Sequence, residues 1–194
     1  MSPIVEILNT INESCIIEKI LMGVKTTAIK TTSSIGIVSS CANEVCNSMN
    51  NYSNDYSNFI GKSVVEGAKQ STSEEIFDRV FGIGCINSCI NKFSNVFKDK
   101  NAFELLSKKG ENKNVALIGH FPTAKNYLKN VKSLSIFEKR PQEGDFPEQM
   151  INAKLPEADL IGITALSIIN NSFLNIIASC KKDSYKVLIG PSAT

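Results

Sequence analysis

Four short apolar runs between Val115 and the end of the chain constrain the fold more than any other feature. They read Val-Ala-Leu-Ile-Gly (115–119), Ser-Leu-Ser-Ile-Phe-Glu (133–138), Leu-Ile-Gly-Ile-Thr (160–164) and Lys-Val-Leu-Ile-Gly (186–190). Each closes on a polar or glycine-rich tip: Gly119-His120-Phe121-Pro122, Glu138 through Asp145, Thr164 through Ser172, and Gly190-Pro191-Ser192. Strands alternating with helical stretches and one long loop predict an α/β fold, a parallel sheet joined by right-handed crossovers. Ligands of such open sheets bind beyond the carboxyl ends of the strands. The layout therefore aims the only histidine, several acids and the tight glycine turns at one place.

Upstream, the pattern is mixed and predicts an α+β arrangement. Apolar positions at Ile4, Ile7, Leu8, Ile11, Ile16, Ile17, Ile20 and Leu21 predict a helix over 4–21, blurred at Cys15 and Ile16 and ended by Gly23. Val24 to Thr32 and Ile35 to Ser40, rich in β-branched residues and separated by Ser33-Ser34, predict a hairpin. Residues 43–58, crowded with Asn, Ser and Tyr, predict a polar loop or a loosely held helix. Ser73-Glu74-Glu75 supplies a capping hydroxyl and first-turn acids for a helix running through Phe93. Gly82 and Gly84 inside it each cost about 1 kcal/mol relative to Ala, and so predict close approach of another backbone. Gly82-Ile83-Gly84 is not a dinucleotide fingerprint, because no strand precedes it and the third glycine is missing. Lys108 to Lys113, charged and holding Gly110, reads as a linker and the domain boundary.

Composition excludes several classes of function. A net charge of +2 gives no field that would draw nucleic acid or an anionic membrane. No apolar run reaches the roughly 20 residues of a membrane span, and the N-terminus lacks the pattern of a signal peptide. The expected setting is cytoplasmic, with the cysteines at 15, 41, 46, 85, 89 and 180 reduced. Cys85 and Cys89 share one helix face and read as small core residues; a zinc site would need two further ligands in register.

Gly119-His-Phe-Pro, Glu138-Lys-Arg-Pro-Gln-Glu-Gly-Asp145, Leu155-Pro-Glu-Ala-Asp159 and Gly190-Pro-Ser192 resemble, in order and spacing, the heavy-metal chelation domain family. The Val24-to-Ser40 hairpin and the Phe81-Gly-Ile-Gly-Cys-Ile-Asn-Ser-Cys-Ile-Asn91 helix resemble that family's usual N-terminal partner domain. The resemblance implies an enolase N-terminal-like α+β domain over 1–110 and a Rossmann-like domain over 111–194, with a site between them. It also marks two departures. The family's Asn-Gly-Thr turn after the third strand is replaced by Thr164 through Ser172, and the family's sheet continues past Gly-Pro-Ser, so the chain is expected to be a fragment.

Within that frame, His120, Glu138 and Asp145 are the candidate metal ligands. Imidazole suits Zn, Cu, Fe and Ni and is also a general base near pH 7, so the expected cofactor is a divalent transition metal. Glu138, at the end of its strand, has two competing roles: holding a ribose hydroxyl or pairing with Arg140. Glu143 and the Gly144-Asp145 turn complete the loop, and the rigid fork of Arg140 suits a carboxylate or phosphate. Thr164 and Asn170 either donate to a ligand or cap the helix beginning near Ser172. Gly190, Pro191 and Ser192 form the fourth tip. The resemblance adds Asn87 and Asn91, i,i+4 on one helix face, as cleft residues.

Three functions compete on this reading. The first is binding of a metal ion, metal complex or small anionic molecule at the strand tips. The second is an enzyme with a nucleotide-type cofactor, against which Gly119-His-Phe-Pro lacks the glycine spacing for a pyrophosphate. The third is an inactive remnant whose open sheet edge drives formation of a homodimer.

Overall fold

The structure, a computed structural model, describes residues 3–11, 14–40, 55–90 and 101–193. The chain divides into two compact units, Met1–Phe97 with Gly190–Thr194, and Lys98–Ile189.

The first unit is built on an antiparallel sheet in the order β1-β2-β3, with β1 Ile17–Met22, β2 Thr26–Thr31 and β3 Ile35–Ser39. The hairpin expected over Val24–Ser40 is β2–β3, paired from Thr26↔Ser39 to Lys30↔Ile35. Period-2 alternation turns Thr27, Ile29 and Thr31 of β2 inward, and the Thr27 hydroxyl meets that of Ser40 at 2.8 Å. The helix expected over 4–21 is corrected: α1 spans only Pro3–Leu8, and Ile17–Met22 is a strand. A register shift between Ile17 and Lys19 interrupts the alternation of β1, so a β-branched run spaces its isoleucines as a helix would.

Two further helices follow, α2 at Val64–Ala68 and α3 at Ile76–Ile90. Ser73 caps the start of α3, its Oγ accepting from Glu75 N at 3.1 Å. Every residue of α3 from Arg79 to Cys89 is buried, as befits a helix apolar on most of its circumference. The close approach expected at its glycines is present. A Cβ on Gly82 would collide with the backbone N of Ser71, and one on Gly84 would lie 2.7 Å from Ile29 of β2. Tyr56, in a 3-10 turn at Tyr56–Phe59, stacks on Phe81 at 4.6 Å between ring centroids. The rest of the 43–58 expectation, the helix beyond Ile90, and Cys41 and Cys46 lie outside the described residues. Cys15, Cys85 and Cys89 are buried. Burial, helped by the nearby Cys89 and Cys15, holds the Cys85 thiol well above the usual range. Those positions are part of the core.

The second unit is a five-stranded parallel sheet in the order β6-β5-β4-β7-β8. Its strands are β4 Asn114–Ile118, β5 Ser133–Glu138, β6 Phe146–Pro147, β7 Leu160–Thr164 and β8 Tyr185–Ile189. The four apolar runs are thus all strands, and the mixed α/β class stands. Alternate residues feed two cores. Val115, Leu117, Ile136 and Leu160 pack on one face with Leu106 of α4 (Ala102–Gly110), together with Ala124 of α5 (Ala124–Tyr127). Ala116, Ile118, Phe137, Ile161 and Ile163 pack on the other with Leu155, and with Ile176 of α8. The covering helices of the second half are α6 Ile151–Lys154, α7 Leu166–Ile169 and α8 Phe173–Ser179. Strands buried on both faces read as continuous apolar runs, which is why β4 and β7 stand out in the sequence. The stretch expected to be a linker, Lys108–Lys113, is instead the last turn of α4 and the turn into β4. No helix among the described residues is long and apolar enough to cross a membrane.

Candidate functional site at the carboxyl ends of β4 and β5

The site is assembled by hydrogen bonds that continue the sheet past its strand ends. Gly119 N donates to Phe137 O at 2.8 Å, extending the β4–β5 ladder by one residue. Gly119 sits at φ +102°, and a Cβ there would lie 3.1 Å from Cβ of Thr164. Only glycine suits both the left-handed backbone and that contact. The chain then turns so that His120 N donates to Glu138 Oε2 at 2.8 Å. The other oxygen of Glu138, Oε1, accepts from Lys139 N at 2.8 Å. Both oxygens of Glu138 are therefore held by backbone, rather than by Arg140, which is exposed.

Asp145 reaches the same point from the loop after β5. The two-residue strand β6 pairs Phe146 with Phe137 and Pro147 with Glu138, and the Phe137 and Phe146 rings lie 5.7 Å apart. The residue just before β6 is thereby fixed beside the tip of β5. Asp145 N donates to Gln142 O at 2.9 Å, and Gly144 takes the positive φ (+85°) that a type II turn requires at its third position. Asp145 Oδ2 then lies 2.8 Å from His120 Nδ1 and accepts from Gln142 N at 3.2 Å. The Asp145 side chain is fully buried, whereas that of His120 is 18% exposed. Asp145 Oδ1 is closed to solvent and has no hydrogen-bond partner among the described residues. Leaving a buried acceptor unpaired costs about 1–3 kcal/mol, and more for a charged group.

The other candidates fall into place around this core or away from it. Thr164 Oγ1 accepts from Leu166 N at 3.4 Å, and its carbonyl accepts from Ser167 Oγ at 2.6 Å. Asn170 Oδ1 accepts from both Ser172 N (3.1 Å) and Ser172 Oγ (2.6 Å), a local turn ahead of α8 rather than the helix cap weighed for it above, since Ser172 holds the N-cap position. Glu143 is exposed. A different group forms within the first unit. Asn87 is buried, and its Nδ2 donates to Ile37 O at 2.8 Å and Pro191 O at 3.2 Å. Ser192 is buried as well, its Oγ accepting from Ser39 N at 3.1 Å. Asn87 is thus not an exposed amide but a tie between β3 and the turn after Gly190, which has φ +127°. Asn91 lies outside the described residues. Sequence reading missed Gln142, whose backbone N–H fixes Asp145; the Gln-Glu-Gly-Asp turn was the signal for it.

Among the described residues, no three His, Cys, Asp or Glu side chains surround one point as a ligand set for a metal. His120, Glu138 and Asp145 do meet, but as a hydrogen-bonded network in which both carboxylates face protein groups. The donor left open in that network is His120 Nε2. An imidazole backed by a carboxylate fits a metal as a single donor with its outer-shell support.

Comparison with known proteins agrees with the fold. A crystal structure of a protein of unknown function from Desulfitobacterium hafniense, of the family DUF364, superposes with a TM-score of 0.84 at 21% identity, covering 97% of this chain and 77% of that one. A second protein of that family and of unknown function, from Pyrococcus horikoshii, gives 0.81 at 21% identity with the same coverage. An uncharacterised protein of Methanocaldococcus jannaschii is 26% identical over 118 residues, 58% of this chain. The match spans 46%, about half, of that curated relative's length. Family models match residues 4–90 (DUF4213) and 101–194 (DUF364), and both are described as "Putative heavy-metal chelation". The chain thus belongs to DUF4213 over residues 4–90 and to DUF364 over residues 101–194.

Proposed function

We propose that this protein binds a divalent transition-metal ion, or a complex of one, at the carboxyl ends of β4 and β5, with His120 as its side-chain donor. The observation that carries this reading is the meeting of His120, Glu138 and Asp145 at the tips of a parallel sheet. Such tips are where ligands of open α/β sheets bind, and the reading of the second unit as Rossmann-like rests on the same sheet. The family description supports a metal as the ligand. Imidazole nitrogen prefers Zn, Cu, Ni and Fe over Mg and Ca, which sets the class of ion. The competing reading, a nucleotide-type cofactor with Glu138 on a ribose, has less support because both Glu138 oxygens already accept backbone N–H groups.

Calorimetric titration of the anaerobically purified chain with Zn2+, Ni2+ and Cu2+, beside His120→Ala, tests the proposal. One site lost in the variant is the expected outcome. Equal binding by both proteins, or none by either, would remove His120 and the strand tips from consideration.

A further inference from the structure

The hydrogen bonds around Asp145 do more than link it to His120: they determine which nitrogen of the ring is open. Asp145 Oδ2 receives the backbone N–H of Gln142 at 3.2 Å. A backbone N–H cannot reverse its role, so Oδ2 is an acceptor. With Asp145 ionised, the other group on Oδ2, His120 Nδ1 at 2.8 Å, is a donor. The alternative places a proton on Asp145. A proton on Oδ2 would leave a hydroxyl oxygen, a poorer acceptor than a carboxylate, to take the Gln142 N–H, and one on Oδ1 would have no acceptor among the described residues. His120 therefore carries its proton on Nδ1, and the neutral ring turns a lone pair outward at Nε2.

We infer that Asp145 and Glu138 are positioning residues rather than ligands, and that His120 Nε2, in the Nδ1–H tautomer, is the single protein atom offered to the metal. The inference rests on the metal-binding reading above for the identity of the ligand, but not for the tautomer. Glu138 holds the backbone that carries the ring, through the His120 N–H on Oε2. Asp145 holds the ring itself. The orphaned oxygen of Asp145 is a second, independent sign. A carboxylate fully buried with one oxygen unpaired is a poor way to stabilise a loop. Its presence is explained by what the other oxygen does to the imidazole, fixing the tautomer and the orientation of the ring. The ligand class follows: a borderline transition-metal centre that accepts one imidazole nitrogen and brings its remaining ligands from water or from a small chelator. Hard cations that need several carboxylate oxygens do not fit this arrangement.

The chain has one histidine, so a long-range 1H–15N spectrum of the labelled 194-residue chain reports this ring alone. At pH 8, above the usual imidazole pKa of about 6.5, the expected pattern is a pyrrole-like Nδ1 and a pyridine-like Nε2. Asp145→Ala should lose that preference and weaken Zn2+ binding about 10- to 100-fold. Asp145→Asn, whose amide oxygen can take the place of Oδ2, should keep the Nδ1–H pattern, a rescue that guards against simple misfolding of the alanine variant. Added Zn2+ should move the Nε2 signal and leave Nδ1 protonated. The reversed pattern in the metal-free protein would overturn the inference, as would Zn2+ on Nδ1 or Zn2+ binding that needs Asp145 while leaving the ring unmoved. The Nδ1–H pattern with no response to Zn2+ would uphold the positioning roles and defeat the metal-binding reading instead.

Discussion

Asp145 is the residue on which the chemistry turns, and its energetics oppose its placement. Truncation to Ala removes the hydrogen bonds to His120 and Gln142, each worth about 1.5–3 kcal/mol where a charged group takes part. It also removes a buried carboxylate with an orphaned oxygen, a burden of similar size. The two effects only partly offset, so Asp145→Ala should lower unfolding free energy by about 1–3 kcal/mol. Equilibrium urea unfolding checks this, and a loss several times larger would make Asp145 a structural residue. Asp159 provides a pH prediction of defined sign. The backbone N–H of Asn114 on its carboxylate, with Lys181 beside it, outweighs burial and holds its pKa below the usual carboxylate value. A pKa lowered on folding gives stability that is present above the unfolded-state value, about 3.9, and lost as pH falls through the folded value. Wild type should therefore lose more stability than Asp159→Asn between pH 6 and pH 3, read as urea midpoints. Parallel loss in both proteins would refute the assignment.

At the scale of elements, legibility followed burial. Four of the five strands of the second unit were readable because each carries a short apolar run, and β4 and β7 are covered on both faces. Strand β1 was misread because its bulge breaks the two-residue period and leaves isoleucines at helical spacing. Strand β6 was invisible for a different reason: it has two residues, one of them proline, and exists only because β5 is there to pair with it. Its consequence is large, since β6 is what delivers Asp145 to His120. The glycines of α3 were legible through their cost. At Gly82, helix propensity favours Ala by about 1 kcal/mol, but a Cβ would meet the backbone of Ser71, and overpacking of that kind costs about 1–3 kcal/mol. Sterics should win, so Gly82→Ala is expected to lower stability by about 1–2 kcal/mol by thermal or urea unfolding. A stabilised variant would mean that the chain at Ser71 yields more easily than its packing indicates.

For the whole molecule, composition and charge set the class of protein, and the two compact units each have their own sheet. What the sequence could not convey is which candidates share a site. His120, Glu138 and Asp145 lie within one hydrogen-bonded cluster of the second unit, whereas Asn87, Pro191 and Ser192 tie together residues of the first. Proximity of this sort depends on register and on turn geometry, neither of which a motif spells out. The relatives share the fold at 21% identity, and the account of function therefore stands on this chain's own cluster. A crystal of the full chain soaked in Zn2+, with anomalous differences measured on both sides of the zinc edge, tests it most directly. The account predicts a single principal peak about 2.0–2.1 Å from His120 Nε2, the usual Zn–N distance, with Asp145 still on Nδ1. A peak bonded to the carboxylates of Asp145 or Glu138, or one away from the ends of β4 and β5, would contradict it.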